Sequence, residues 1–295
     1  MLHEIDPLRF DNAYYPHEVQ NGDTVLCYQG DAILLKAGSD GIAYPVFNRS
    51  KMDGSRCIYL FSIDSRRFFL SFKSVFAPGY HFKPVQSLRG ALPQHLSFAG
   101  VVGHHLYRWY RARKYCGVCG HRARHDAKER MMCCPACGNR EYPQLMPAVI
   151  VGVVDEERLL LTRYATREGQ PPRPNWALVA GYTEIGESLE ETVRREVMEE
   201  TGLELEDITY YKSQPWAFTG SLLSGFYARV KGDSQIRLNE EELSQAVFVP
   251  RDQIDVTFTN IALTNEMICR FRDVGPDVLI RRDDIRHLPY RQEAK

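Results

Sequence analysis

One 23-residue stretch constrains this chain more than any other: Gly181 to Leu203, GYTEIGESLEETVRREVMEETGL. Ser188 followed by Glu191 forms a capping box, and good helix formers then run without Pro or Gly until Gly202. The stretch therefore predicts a helix closed by a glycine C-cap. On that helix Glu196, Glu199 and Glu200 stand at i, i+3 and i+4. Their carboxylates crowd one face, where like charges repel and destabilise the helix. A cation relieves such crowding, and hard divalent ions such as Mg²⁺ or Mn²⁺ take carboxylate oxygens together with phosphate oxygens. The glycine-bearing turn before the helix lets backbone groups approach a ligand closely, as a phosphate ester or anhydride site needs. By helical spacing alone, a solvated acidic face is the commoner case.

With 295 residues the chain has room for two domains and substantial cores. Its 37 basic and 38 acidic residues leave a net charge of -1, which gives no global attraction to nucleic acid or anionic membrane. Between Arg108 and Arg130 the balance differs: eight Lys or Arg residues face only Asp126 and Glu129. Such a patch can meet phosphates, although most charge runs are simply solvated. MLHEIDPLRF has neither a basic start nor an apolar core, and no run approaches the ~18 apolar residues of a membrane span. The expectation is a soluble cytoplasmic protein with no membrane partner. Five of its eight cysteines fall within 22 residues, which favours metal over disulfides.

Thr24 to Gln29, Ala32 to Lys36, Cys57 to Ile63 and Arg67 to Lys73 read as strands, with Asp64-Ser65 as a hairpin turn. They form a small β-rich domain without a catalytic set, read as scaffold or dimerisation surface in a homodimer. Leu96, Ala99, Gly103, Leu106 and Tyr110 mark an amphipathic helix leading out of it, with Tyr107 and Trp109 as core aromatics. Met146 to Val154, Arg158 to Tyr164 and Trp176 to Thr183 follow as strands, the last running straight into the Glu helix. Ala165 to Asn175 reads as an exposed loop. Ile208 to Gln214, Leu222 to Val230 and Ala246 to Val249 are further strands, and Thr259-Asn260 opens a final helix reaching Arg272. Strands flanking two helices give an α/β (α+β) sandwich with the acidic helix at a strand end.

Cys116-Gly-Val-Cys119, fourteen residues, then Cys134-Pro-Ala-Cys137 make two CxxC knuckles. Each presents two thiolates to one tetrahedral ion with Zn–S bonds of ~2.3 Å, so the spacing predicts a four-cysteine zinc ribbon. Such a closed site is structural, and Zn²⁺ binding to comparable modules is worth roughly 10–16 kcal/mol. Cys133 could replace Cys134, but only Cys134 keeps the two-residue spacing to Cys137; Cys133 is read as a spare buried thiol.

Gly181, five residues, Glu187, seven residues, then Arg195 to Leu203 (REVMEETGL) matches the Nudix box at every fixed position, and the chain resembles that hydrolase family. The four-cysteine ribbon upstream, and Ser213 to Ser221 (SQPWAFTGS) against the motif SQPWPFPxS, make it similar to the NADH pyrophosphatases, which also remove NAD caps from RNA. Six of the eight specified motif positions match; Ala217 and Thr219 replace prolines, which frees the loop's φ angles. The resemblance covers roughly Trp109 to Arg272. The chain is thus read as a 1–110 N-terminal β-rich domain ending in a helix, a 111–143 zinc ribbon, a 144–275 Nudix hydrolase domain and a 276–295 C-terminal tail, the first of which fits the family's layout only loosely.

The resemblance implies Glu196 and Glu200 as Mg²⁺ or Mn²⁺ ligands with the Ala180 carbonyl, Glu199 as ligand or water-orienting base, and Glu242 as outer ligand or base. It implies substrate contacts at Glu129, Tyr142, Tyr182, Gln214, Pro215, Trp216, Phe218, Ser221 and Ala262. Arg195 and Glu187 are expected to brace the loop against the helix. The implied reaction is hydrolysis of NAD(H) to NMN(H) and AMP, and of NAD-capped RNA to a 5′-monophosphate end. Two alternatives stand beside it. One is a Nudix hydrolase of ADP-ribose or dinucleoside polyphosphates. The other is a non-catalytic nucleotide sensor that binds nucleic acid, against which the intact carboxylate set argues.

Overall fold

Sixteen strands and three longer helices form the framework of the described residues. The computed structural model describes residues 1–73, 77–166 and 175–280. Two compact units emerge: Leu2–Leu145 with Trp216–Gly220, and Met1 with Met146–Pro215 and the chain from Ser221 onward.

The first unit contains β1 (Phe10–Asp11), β2 (Thr24–Gln29), β3 (Ala32–Gly38), β4 (Gly41–Ala43), β5 (Cys57–Ile63), β6 (Arg66–Ser71) and β7 (His81–Pro84). Their order in one sheet is β1-β5-β6-β2-β3-β4, with β7 also pairing β3. Asp64, at φ 49°, makes the left-handed corner between β5 and β6 that the Asp-Ser pair predicts. Helix α1 (Gln94–Ala112) buries Leu96, Ala99, Gly103, Leu106 and Tyr110, together with Tyr107 and Trp109. It lies close to the sheet because Gly100 and Gly103 carry no side chain. A Cβ on Gly100 would sit 2.1 Å from the Tyr44 hydroxyl, and one on Gly103 2.4 Å from Leu26. Tyr28 of β2 and Tyr44, just after β4, exploit that proximity: Tyr28 donates to the Gly100 carbonyl (2.7 Å) and Tyr44 to that of Leu96 (2.9 Å).

After α1 come three two-residue strands that periodicity does not reveal: β8 (Arg124–His125), β9 (Met132–Cys133) and β10 (Arg140–Glu141), in the order β10-β9-β8.

The second unit is built on β11 (Met146–Asp155), β12 (Arg158–Tyr164), β13 (Val179–Tyr182), β14 (Leu205–Trp216), β15 (Ser221–Val230) and β16 (Leu243–Pro250). The order is β14-β15-β11-β12-β16, with β13 also on β11. β11 runs parallel to β15 and antiparallel to β12 and β13. Along β11, Val149, Val151 and Val153 pack with Val193 and Val197 of α2 (Leu189–Thr201). Ile150 and Val154 point the other way, to Leu263, Met267, Ile268 and Phe271 of α3 (Leu263–Val274). Each fully buried side chain of this kind contributes about 1.5–3 kcal/mol, so period two in the strand and 3.6 in the helices fix an α/β/α sandwich.

Two element ends beside α2 and α3, and one burial, differ from the sequence reading. β13 ends at Tyr182, and residues 183–188 separate it from α2, because Glu187 turns back to accept the Glu184 N–H (3.0 Å). The last helix begins at Leu263 rather than at Thr259-Asn260: Asn260 sits at φ 48°, outside helical space, and Ala262 is the N-cap. Cys133 is half-buried rather than buried. Pro276–Leu279 forms a short helix, α4, whose Leu279 joins the α3 side of the core. Most of the expected 165–175 loop lies outside the described residues, as does 281–295.

Candidate active site

Helix α2 starts as its sequence dictates. Ser188 Oγ accepts the Glu191 N–H (3.2 Å), Glu191 accepts the Ser188 N–H (2.7 Å), and Gly202 closes the helix at φ 70°. The helix delivers Glu196 and Glu200 to the buried side and leaves Glu199 half-exposed. Glu196 reaches back under the preceding strand into the space that Gly181 leaves vacant: a Cβ there would lie 1.8–2.2 Å from its carboxyl atoms. Gly181 is therefore required by contact and not by backbone conformation. Gly181→Ala is expected to evict the Glu196 carboxylate and, since a misplacement of ~1 Å can cost on the order of a hundredfold in rate, to lower kcat by about that factor in a folded protein. Wild-type kcat in a correctly folded variant would refute this placement.

Arg195 organises the cluster. Its Nε meets Glu187 Oε1 at 2.6 Å, its Nη1 meets Glu196 (2.8 Å) and Glu199 (3.0 Å), and its Nη2 meets Glu187 Oε2 (3.0 Å) and the Tyr182 carbonyl (2.9 Å). This bracing of loop on helix was expected for Glu187; the hold on Glu196 and Glu199 was not. Thr192 also donates to Glu187 (2.9 Å), and the Arg195 hydrogen bonds above all hold the Glu187 carboxyl down at about 2.

Glu200 is the opposite case. It is 2 % exposed, and its Oε2 is buried without a hydrogen-bond partner. Burial first, then the charges of Glu196, Glu242 and Glu199, push its carboxyl up to about 8. Glu196 is raised as well, chiefly by burial, with Arg195 opposing. Glu242, on the turn before β16, is exposed and is held through its carbonyl by the Ala165 N–H (2.8 Å). A buried oxygen with no donor beside three further carboxylates fits a divalent cation. Glu196 and Glu200 would hold it, with Glu199 and Glu242 within its field and Ala180 on β13 one residue before Gly181.

The raised carboxyl has a consequence for stability. In the metal-free fold Glu200 keeps a proton between about 4.5, its ordinary value, and about 8, whereas the unfolded chain has already lost it. The stability it contributes is thus present below 4.5 and lost as pH rises through 8. Thermal melts at pH 6, 7 and 8 in chelator should show a falling Tm that millimolar Mg²⁺ flattens. The same pH slope with and without the ion would exclude Glu200 as a ligand.

The four knuckle thiols converge in the other unit. Cys116, Cys119, Cys134 and Cys137 place their sulfurs within 4.8 Å of one another, a spacing one metal ion can bridge. Backbone N–H groups of Cys137 and Ala136 pull the Cys134 thiol down to about 6, against burial, so the ligating thiolate is accessible at neutral pH.

The remaining predicted residues fall into small groups. Ser221, buried, donates to the Tyr182 hydroxyl (3.4 Å), and Tyr182 is half-exposed. Gln214 is fully buried and bonds the Ile261 carbonyl and the Leu263 N–H (both 2.8 Å), fixing the chain on either side of Ala262. Pro215 is exposed. In the unit that holds the cysteines, Tyr142 donates to Glu129 (2.7 Å). There too, Trp216 and Phe218 are buried against each other, ring centroids 5.0 Å apart, and the Arg89 guanidinium lies 5.0 Å from both rings. Arg89 had no sequence signature; a lone arginine carries none. The Thr219 N–H donates to the Trp216 carbonyl (3.2 Å), a turn bond that a proline at 219 could not make.

Residues 144–271 match the NUDIX domain. An NAD-capped RNA hydrolase NudC of Photorhabdus laumondii is 37 % identical over 152 residues, 52 % of this chain and 57 % of that protein. One of Salmonella typhi is 36 % identical over 170 residues, 57 % of this chain and 64 % of its own. The chain thus spans less than two thirds of the length of these relatives. The match to a solved NUDIX hydrolase of Nitrosomonas europaea covers 54 % of this chain and 90 % of that one, at 21 % identity and a TM-score of 0.46. No helix among the described residues is long and apolar enough to cross a membrane. With its carboxylates gathered on α2 as the signature between Gly181 and Leu203 requires, the domain spanning residues 144–271 is a member of the Nudix family.

Proposed function

We propose that this protein hydrolyses the pyrophosphate of NAD(H) to NMN(H) and AMP, and removes NAD caps from RNA 5′ ends. The observation that carries the chemistry is the buried, unpartnered Glu200 oxygen among three further carboxylates. The segment Ser213–Ser221 and the relatives' names support the substrate. Bound Mg²⁺ or Mn²⁺ would neutralise phosphate oxygens and polarise the attacking water. The residues themselves have separate tasks. Glu196 and Glu200 hold the ion, Arg195 fixes Glu196 and Glu199 in rotamer, and Glu199 or Glu242 accepts the water's proton. Glu129, Tyr142, Tyr182, Gln214, Pro215, Trp216, Phe218, Ser221 and Ala262 are the residues proposed to contact the substrate. Zn²⁺ in the four-cysteine cluster is structural. The protein acts in the cytoplasm as a homodimer; eight free cysteines suit a reducing compartment.

A second reading, hydrolysis of ADP-ribose or dinucleoside polyphosphates, draws on the altered turn, since Trp216 and Phe218 bury their rings instead of offering an open stacking face. Turnover of NADH, NAD⁺, ADP-ribose and diadenosine polyphosphates with Mg²⁺ or Mn²⁺ separates the two. NADH should be preferred, and no turnover of any substrate would leave only a nucleotide sensor. Trp216→Ala removes the ring against which Phe218 and Arg89 pack and should, through the shape of this turn, lower the NADH to ADP-ribose ratio of kcat/KM by about tenfold, the equivalent of ~1.4 kcal/mol. An unchanged ratio would remove this turn from substrate reading.

A further inference from the structure

The small sheet around the cysteine cluster has one face that the proposed chemistry does not use. Arg124 and Arg140 both lie opposite Cys133 in the ladder, so all three side chains share one face. Arg122 is two residues before Arg124 on the same extended segment and lies opposite Tyr115. The opposite row carries His125, Met132 and Glu141, and Glu141 is spent on Arg113. Arg122, Arg124 and Arg140 are exposed, and Tyr115 is 57 % exposed with the Lys114 ammonium 5.7 Å from its ring centroid.

The nearby acids hydrogen-bond to other groups. Asp126 accepts the Lys128 and Glu129 N–H groups (2.7 and 3.0 Å), and Glu129 accepts from Tyr142. Among the described residues none of the three arginines makes an ion pair, although the whole chain carries a net charge of only -1. Neighbouring strands lie about 4.8 Å apart and alternate residues about 6.5–7 Å apart. The face therefore offers three guanidinium forks over roughly 10 Å with an aromatic ring at its end. That combination matches a single-stranded polyanion whose bases can stack.

We propose that this arginine face binds the phosphodiester backbone of single-stranded RNA, with Tyr115 stacking a base. This binding rests on the capped-RNA reading above, in which RNA is part of the substrate.

Fluorescence anisotropy with an uncapped 5′-monophosphate RNA of about a dozen nucleotides tests the face without hydrolysis. In Arg122→Gln/Arg124→Gln/Arg140→Gln, affinity should fall about tenfold or more near 0.15 M salt. The slope of log K against log salt should shrink by about 2, at roughly 0.7 per lost phosphate contact. Metal content and NADH kcat/KM should stay within twofold of wild type, and the triple Arg→Lys variant should recover most of the affinity. Unchanged RNA affinity and slope in the Gln variant would overturn the proposal even with NADH turnover intact. So would a face that holds poly-glutamate as tightly as RNA, which marks an acidic protein partner. RNA binding lost in the Gln variant of a protein that never hydrolyses NADH would uphold the face and reject only the substrate reading.

Discussion

Glu200→Gln is expected to reduce hydrolysis by at least about a thousandfold, on the order of 4 kcal/mol of transition-state stabilisation, while the protein stays folded. Gln keeps the volume and one carbonyl oxygen, so the packing of α2 against Val149 and Val151 of β11 is preserved. What disappears is the negative charge at the one carboxylate that, among the described residues, has a buried oxygen and no donor. In the absence of metal the variant should be more stable than wild type above pH 7. It no longer has a carboxyl that burial and three neighbouring carboxylates force to about 8. Loss of activity with a gain in apo stability is the signature of a ligand; loss of both would mean that Glu200 serves the fold. Activity within a few-fold of wild type would end the metal assignment.

The second large effect is expected at the cysteine cluster. Cys134→Ser should release the metal and open the segment from Tyr115 to Tyr142, whereas Cys133→Ser should keep one ion per chain. Consecutive residues of an extended segment point to opposite sides. Cys134 Sγ lies 3.4 Å from Cys119 Sγ, whereas Cys133 Sγ lies 3.9 Å from the Cys134 carbonyl and outside the cluster. Such ions bind small modules with roughly 10–16 kcal/mol, far more than three two-residue strands gain from their own ladder, so the segment cannot hold together without it. Metal per chain, with limited proteolysis as a check on the opened segment, reads the result. Metal lost from the Cys133 variant and kept in the Cys134 variant would reverse the ligand assignment.

Local chemistry was legible before any coordinates. The capping box at Ser188, the Gly202 cap, the two CxxC knuckles and the apolar runs of β2, β5, β11 and β12 are each written within about twenty residues, because their causes are short-ranged. The crowding of Glu196, Glu199 and Glu200 is equally local, since helix geometry alone brings i, i+3 and i+4 together.

Tertiary structure decided what depends on which distant group fills which space. That Gly181 exists to seat Glu196, that Glu200 and not Glu199 is the buried carboxylate, and that Arg195 ties three glutamates at once depend on how β13 lies on α2. Asn260 turns left-handed and delays α3 to Leu263 while Gln214, 47 residues before Ile261, holds both flanks of Ala262. The arginine face depends on a register among strands of two residues, too short for any periodicity to announce. The division follows from range: turns, caps and amphipathic faces are set by neighbours in sequence, whereas desolvation, charge and steric room are set by neighbours in space.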